Sequence, residues 1–392
     1  MSRPLLFVVA GAAVAVLVGV LLPGGDTTAV VPSKPVAVAQ ATVPASAARP
    51  GPTASSPYTV DGLRARQALL TLWQGRLKRA EDTLVSYQRS TRYPHEARPL
   101  SEHPDQVRPF DPIADDIPLR TPGGEPAKGV RVRTTQDRVF ASGSESVRFT
   151  VRAVDSEGKP VPLLVTRAAA FDLPDPRQVA GRPQAPVNFV DAGSGDGTLS
   201  AVLQPSTQGF ADFAGTIRLQ VYLNQDGQLG NVYFDVVYQP LVPAEWAGAR
   251  ESLSNGSLDF YLKARVAQAG RYVVSARVDD ANGKPFALLS FNDEVGVGPQ
   301  EFRLTLFGKL VRDTAPVFPL TLRDVQGFLL VPDKFPDRAM MPRLPGGVYT
   351  SRSYALTSFA DTEWSSEERD RYLAELNKDV SESKRQVEEL TR

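Results

Sequence analysis

The sequence predicts a mainly β chain, with two sheet-built domains in tandem and helices on either side. Three observations predict it. A strand–turn–strand unit occurs twice. Apolar residues alternate with polar ones over several long stretches, which is the period of a half-buried strand. Proline is abundant, at 33 of 392 residues, and runs with helical period are few, which favours strands and loops.

Composition narrows the function classes. The 44 basic and 44 acidic residues cancel, so no global field draws the chain to nucleic acid. Cysteine is absent, which removes thiolate metal sites, thiol nucleophiles and disulfide staples together. Only His95 and His103 could serve as imidazole acid, base or ligand.

At the N-terminus, residues 1–4 precede the apolar run LLFVVAGAAVAVLVGVLL at 5–22. That run is close to the ~20 residues of a membrane-spanning helix and exceeds the ~7–15 of a secretory core. Arg3 lies before it and Lys34 is the first basic residue after it. The expectation is a single-pass signal-anchor in an inner membrane, with the N-terminus cytoplasmic and the body in the periplasm. A cleaved signal with Ala37-Val38-Ala39 as its site is the alternative. Gly11, Ala15 and Gly19 share one face of that helix, and small residues at this spacing allow a homodimer through the anchor. A linker at 23–58 follows, with seven prolines; it is expected to serve as a stiff spacer.

A soluble amphipathic helix is expected within 59–92. Leu63, Leu70, Trp73, Leu77, Ala80, Leu84 and Tyr87 recur at heptad-like spacing, and Tyr93-Pro94 ends the run. Its polar faces are mostly basic. Residues 361–392 hold the second helix, with Ser365 and Glu368 as a capping box. Leu373, Leu376, Val380, Val387 and Leu390 form its stripe, interrupted by Ser383, and its charge is acidic on balance. The opposite charges suggest that the helices pair with each other or each with a partner; packing on the β body is the plainer alternative. Trp73, Leu77, Leu84, Leu373, Leu376 and Val380 are the candidate interface residues.

Residues 93–127 form a proline-dense connector that carries both histidines. His95-Glu96, Glu102-His103 and Asp105 are of metal-ligand type, but their spacing fits no helical metal motif. A strap pinned by Tyr93, Leu100, Val107 and Phe110 is the simpler expectation.

The repeated unit is VRFTVRAVDSEGKPVPLL at 147–164 and YVVSARVDDANGKPFALL at 272–289. Each is a strand, a D-x-x-G-K-P turn and a further strand. The offset between them suits two immunoglobulin-like sandwiches, at 128–240 and 241–360. Ile217 to Leu223 and Val232 to Val236 alternate around Asp226-Gly227, which predicts a hairpin. Phe302, Leu304 and Leu306, then Leu320 to Leu330, supply strands of the second domain.

FVDAGSGDG at 189–197, GRYVVSARVDDANGKP at 270–285, LTLFGKLVRD at 304–313 and LTLRDVQGFLL at 320–330 resemble an uncharacterised proteobacterial family of tandem immunoglobulin-like envelope proteins. The resemblance spans roughly residues 128–375. It implies a fold and a compartment; no activity is assigned to that family.

Chemistry has few candidates. Asp191 and Asp196 in a glycine-rich turn could ligate calcium, although the spacing of a helix–loop–helix calcium site is missing. Asp279, Asp280, Asn282, Asn292, Asp293 and Glu294 form a second acidic group, but nothing selects a catalytic pair among them. No nucleophile elbow, phosphate loop or dinucleotide fingerprint occurs. The expected function is therefore that of a non-catalytic, membrane-anchored scaffold or accessory subunit binding other envelope proteins, with no cofactor and no nucleic acid. A carbohydrate or cell-wall binding module, with Tyr222, Tyr233 and Tyr238 as aromatic platforms, is the alternative. A carboxylate-based hydrolase comes third.

Overall fold

The computed structural model describes residues 60–120, 125–173 and 184–392. The described residues are mainly β, with several sheets and three α-helices. Helix α1 (Val60–Ser90) comes first, and the connector after it contributes β1 (Ala97–Pro99).

The first β region holds β2 (Ile113–Arg120), β3 (Pro126–Gln136), β4 (Phe140–Ser142), β5 (Val147–Asp155), β6 (Pro160–Val161) and β7 (Leu164–Asp172). It continues with β8 (Ala185–Pro186), β9 (Val190–Asp191), β10 (Leu199–Leu203), β11 (Gly215–Gln225) and β12 (Gln228–Gln239). Two sheets result, in the orders β2-β3-β5-β10-β9 and β4-β12-β11-β7-β8, with β6 on β5. Alternation places every second side chain on one face. Phe149, Val151 and Leu203 of one sheet thus meet Ile217, Leu219, Phe234 and Val236 of the other in one core. Phe149 and Phe234 touch across it, with ring centroids 4.8 Å apart. Each fully buried side chain of this size contributes about 1.5–3 kcal/mol.

The expected hairpin is present. Gln225 pairs with Gln228, leaving a two-residue loop. Asp226 and Gly227 both have positive φ, at 48° and 82°, as a type I′ turn requires.

The second β region runs through β13 (Ala244–Ser254), β14 (Ser257–Val266), β15 (Gly270–Asp279), β16 (Pro285–Val295) and β17 (Gly298–Leu306). Helix α2 (Gly308–Thr314) and strands β18 (Thr321–Leu330), β19 (Arg338–Met340) and β20 (Leu344–Thr350) complete it. The sheets are β13-β14-β17 and β1-β16-β15-β18-β19, with β20 also on β18. Phe302 sits at the centre of their shared core, and the rings of Trp246, Tyr272 and Phe291 lie 5.3–5.7 Å from it. The buried Tyr272 hydroxyl donates toward the Gln268 and Pro243 carbonyls, at 2.7 and 3.0 Å, and fixes the corner where the chain changes sheets. Helix α3 (Glu367–Thr391) closes the chain.

The duplicated sequence is duplicated in structure only at its turn. In both copies an aspartate Oδ1 accepts from two backbone amides: Asp155 from Glu157 and Lys159, Asp280 from Asn282 and Lys284. Gly158 and Gly283 both take positive φ. The flanking strands then diverge. β15 and β16 pair along their length in one sheet. β5 pairs briefly with β6, and β7 crosses to the opposite sheet. The shared motif encodes a turn, not equivalent positions in two domains.

The connector is a strap on the second β region. β1 adds to the β16 edge, and Ala97 and Leu100 are buried. Tyr93 donates to Asp313 at 2.8 Å.

Two expectations are corrected. Ser366, not Ser365, caps α3, its hydroxyl accepting from the Arg369 amide at 3.1 Å. Ser365 bonds the Asp370 carboxylate instead. Residues 308–314, between the strands expected at Phe302–Leu306 and from Leu320 onward, form helix α2. The single-pass inner-membrane topology is overturned: no helix among the described residues is long and apolar enough to cross a membrane. The apolar run at 5–22, with Gly11, Ala15 and Gly19, lies outside the described residues.

Gly308 shows how closely the backbone is packed here. A Cβ on it would lie 2.0 Å from the Gly256 carbonyl oxygen and 2.9 Å from the Ala360 nitrogen. Backbone cannot swing aside as a side chain can. Gly308→Ala is expected to destabilise the chain by about 3 kcal/mol, the upper end of overpacking costs. Gly75→Ala, within α1 where a Cβ meets only the Arg79 side chain at 3.4 Å, is expected to stabilise the helix by about 1 kcal/mol. Paired thermal melts check both signs.

Candidate interaction surfaces

Helices α1 and α3 pair antiparallel and form an arm. Arg66 Nε donates to the Leu390 carbonyl at 3.0 Å near one end. Tyr87 and Tyr372 stand 5.9 Å apart near the other. At 1.5 Å per residue, the two helices run roughly 46 and 37 Å. In α1 the half-buried positions include Arg66, Leu70, Trp73, Leu77, Ala80, Leu84 and Tyr87. In α3 the seam positions are Arg369, Leu373, Leu376, Val380, Ser383, Val387 and Leu390. Each series alternates steps of four and three, which keeps a seam facing its partner. All six predicted residues, Trp73, Leu77, Leu84, Leu373, Leu376 and Val380, therefore lie on the seam.

Charge favours the pairing. α1 holds six basic and three acidic residues, α3 five basic and eight acidic. The seam is nevertheless thin. No residue of α1 is fully buried, and α3 buries only Arg369 and Ser383. The Ser383 hydroxyl is enclosed and has no partner among the described residues. Leu63, Leu69, Leu72 and Val85 of α1 remain exposed at 45–62%, so the arm presents apolar surface beyond its own seam.

Ion pairs fasten the arm at its root. Arg92 reaches Asp313 at 3.0 Å, and Arg369 reaches Glu363 at 2.8 Å. Arg369 Nε also donates to Thr91 Oγ1 at 3.1 Å. Lys309 bridges Asp361 and Asp313 at 2.7 and 3.0 Å. The hydrogen bonds it donates to Asp361 and Asp313 hold the Lys309 ammonium above its ordinary pKa.

The expected aromatic platform is only partly present. Tyr222 and Tyr233 are exposed on the outer face of β11 and β12. Tyr238 is buried, and its hydroxyl donates to the Gly143 carbonyl at 2.8 Å; it is core, and the alternation that turns Tyr233 outward turns Tyr238 inward. Arg218 stacks on the Tyr233 ring at 4.3 Å and grips Asp235 with two bonds of 2.7 Å. A trough of about 490 Å³ beside Tyr222 is lined by Thr166, Arg167, Leu229 and Asn231.

The glycine-rich turn does not present a calcium site. Asp191 Oδ1 accepts from the Gly193 amide at 2.7 Å. Asp196 is held by Ser194, by the Thr198 amide and by Arg152 at 2.7 Å. These bonds keep its carboxyl well below the usual carboxylate range, Ser194 first. Arg152 thus already supplies Asp196 with a cationic partner. Among the described residues no group of three or more acidic or histidine side chains could hold a metal. Asp280 serves its turn, and Asp279 pairs with Arg323 at 2.6 Å. His95 lies 3.2 Å from Glu96, while His103 Nε2 is enclosed without a partner.

No known protein family matches the sequence, and no curated protein does. Among solved structures the chain is similar to a DUF4785 family protein from Legionella pneumophila. Identity is 12% and the TM-score 0.38, over 56% of this chain and 57% of that one. It is also similar to FdeC, an Escherichia coli adhesin, at 13% identity and a TM-score of 0.20, over 44% of this chain and 63% of that one. Each match spans less than two thirds of the other protein, and likeness at this level carries no functional argument.

Proposed function

We propose that this chain is a non-catalytic protein-interaction subunit, a scaffold or accessory component that engages its partner through the helical arm. One observation carries the reading. A 31-residue helix is kept with no fully buried residue and with Leu63, Leu69, Leu72 and Val85 exposed. Leu69 and Leu72, three residues apart, are neighbours on the helix surface, and adjoining exposed apolar side chains mark an interaction site. The finer fold reading, two immunoglobulin-like sandwiches, has support from strand order. The first region sets β3-β5-β10-β9 against β4-β12-β11-β7, the two-sheet arrangement of that fold. The carboxylates of Asp196, Asp279 and Asp280 are all engaged in ion pairs or turns, which favours a non-catalytic role.

The test is in-cell crosslinking of the tagged full-length chain, read by mass spectrometry. A defined partner set is expected for the natural sequence and should be lost when Leu69 and Leu72 both become Glu. An unchanged set in that variant would remove the arm from the interaction.

A second reading is favoured by Tyr222 and Tyr233 on one sheet face beside a trough. There the chain would bind a saccharide, stacking a ring on an aromatic side chain. A glycan array should then give a signal that the double variant Tyr222→Ala, Tyr233→Ala abolishes. Silence of the natural chain on the array would dismiss it.

A further inference from the structure

Where the strap, the second β region and the arm root meet, two strand edges lie open. β1 covers β16 only across Ala287–Leu289, and the next amide, Ser290, donates to the Glu96 carbonyl at 2.9 Å. Among the described residues, nothing pairs with that edge of β16 from Phe291 to Val295. β17 pairs with β14 on one side and with no described strand on the other. A cleft of about 380 Å³ is lined by residues of both strands.

Trp364 is the unusual residue of this cleft. Its main chain is fixed, the amide donating to the Arg92 carbonyl at 3.1 Å. Its side chain joins neither hydrophobic core. Among the described residues its indole N–H has no acceptor and its ring no aromatic neighbour. A tryptophan whose main chain is fixed, whose polar edge is unspent and whose side chain lines a cleft is the kind of residue that dominates binding energy at interfaces. Phe291 and Phe307 form the apolar floor. The rim is charged: Glu96 and Asp293 on the strap and β16 side, Arg303 on β17, exposed and without a carboxylate partner among the described residues.

We propose that this cleft is a peptide-binding site. It takes a segment of a partner protein in extended form, laid along the β16 edge beyond β1. An apolar side chain of the segment fills the space beside Trp364, and a basic residue lies against Glu96 and Asp293. Two flanking strand edges favour a main chain as occupant, because unpaired edge groups are a template for another strand. The strap already demonstrates the mode, since β1 occupies the adjoining length of the same edge. The site is separate from the arm's leucines, so either can fail without the other.

Selection of short random peptides displayed on phage against the immobilised full-length chain tests this. The expected result is a consensus of one apolar and one basic residue. The synthetic consensus peptide should bind Trp364→Ala at least tenfold more weakly than the natural chain. Asp293→Lys should reverse the preference from basic to acidic. Asp293 is exposed, with one bond, from the Glu294 amide, so this variant reports on recognition even if Trp364→Ala disturbs the arm root. The proposal is overturned if no peptide is enriched, or if enriched peptides bind both variants as they bind the natural chain. A glycan-array signal lost in Trp364→Ala, without peptide selection, would likewise overturn it and assign the cleft to a saccharide.

Discussion

Gln106→Ala should loosen the strap and cost about 1.5–3 kcal/mol, the range for a hydrogen bond to a charged group. The reason is Arg277, which is 0% exposed. Its Nε donates to the Gln106 carbonyl at 2.9 Å, and its Nη2 to the Gln106 side-chain oxygen. Its Nη1 donates to the Asp324 carbonyl at 3.0 Å and, more distantly, to Ser275. Burial pushes the Arg277 pKa down to about 10, with Asp324 opposing the shift. The group is still charged at neutral pH. Its folded pKa lies below the unfolded value, so it disfavours folding most below about pH 10 and less as pH rises through that value. Carbonyl oxygens, chiefly from the strap, are what make this burial tolerable.

Arg277→Met separates the latch from the charge. An apolar side chain of similar length removes the desolvation cost, and replacements of buried charges by packed apolar groups are often neutral in stability. Its urea midpoint should stay near that of the natural chain. The strap should still be released, because Gln106 then bonds to nothing on β15. Limited proteolysis at Arg98 and Arg108 should therefore accelerate in both variants, while global stability falls only in Gln106→Ala. Unchanged cleavage in both would show that Ala97 and Leu100 hold the strap unaided.

Local periodicity was legible in this chain and tertiary covering was not. The β11–β12 hairpin follows from alternation and Asp226-Gly227, because both are properties of adjacent residues. The arm seam follows from heptad spacing for the same reason. Arg277 defeats alternation: Ala276, Arg277 and Val278 are all fully buried. A register shift between Ser275 and Arg277 disturbs the strand, and the strap covers what would otherwise be a solvent face. No window around residue 277 contains that information. The D-x-x-G-K-P match reaches no further than its turn for a related reason. Its residues specify a turn, while the path of the next strand is chosen by the sheet that receives it. Trp364 lies between α3 and the β region with no period around it, so only the cleft gives it meaning. Tyr238 differs from Tyr233 by strand parity alone, which a count from the hairpin turn would have revealed.

Replacing Leu77 and Leu84 together with Asp should unfold the arm and spare the body. Both leucines lie on the α1–α3 seam, and no α1 side chain is fully buried against anything else. Two half-covered leucines contribute roughly 0.8–1.5 kcal/mol each at half the value of full burial, and placing carboxylates there adds a desolvation cost. Helices in proteins owe most of their stability to packing of an amphipathic face, so α1 and α3 should lose helicity together. The far-ultraviolet helical signal should fall, while the near-ultraviolet signal from the core around Phe302 and Tyr272 persists with its own thermal transition. Ser383→Ala works in the other direction. The enclosed hydroxyl has no partner, so removing it should stabilise the arm by about 1 kcal/mol. If the leucine pair instead lowers the body's transition as well, the arm is part of one cooperative unit. Its exposed leucines would then have to be explained as the cost of that coupling, not as a surface kept for a partner.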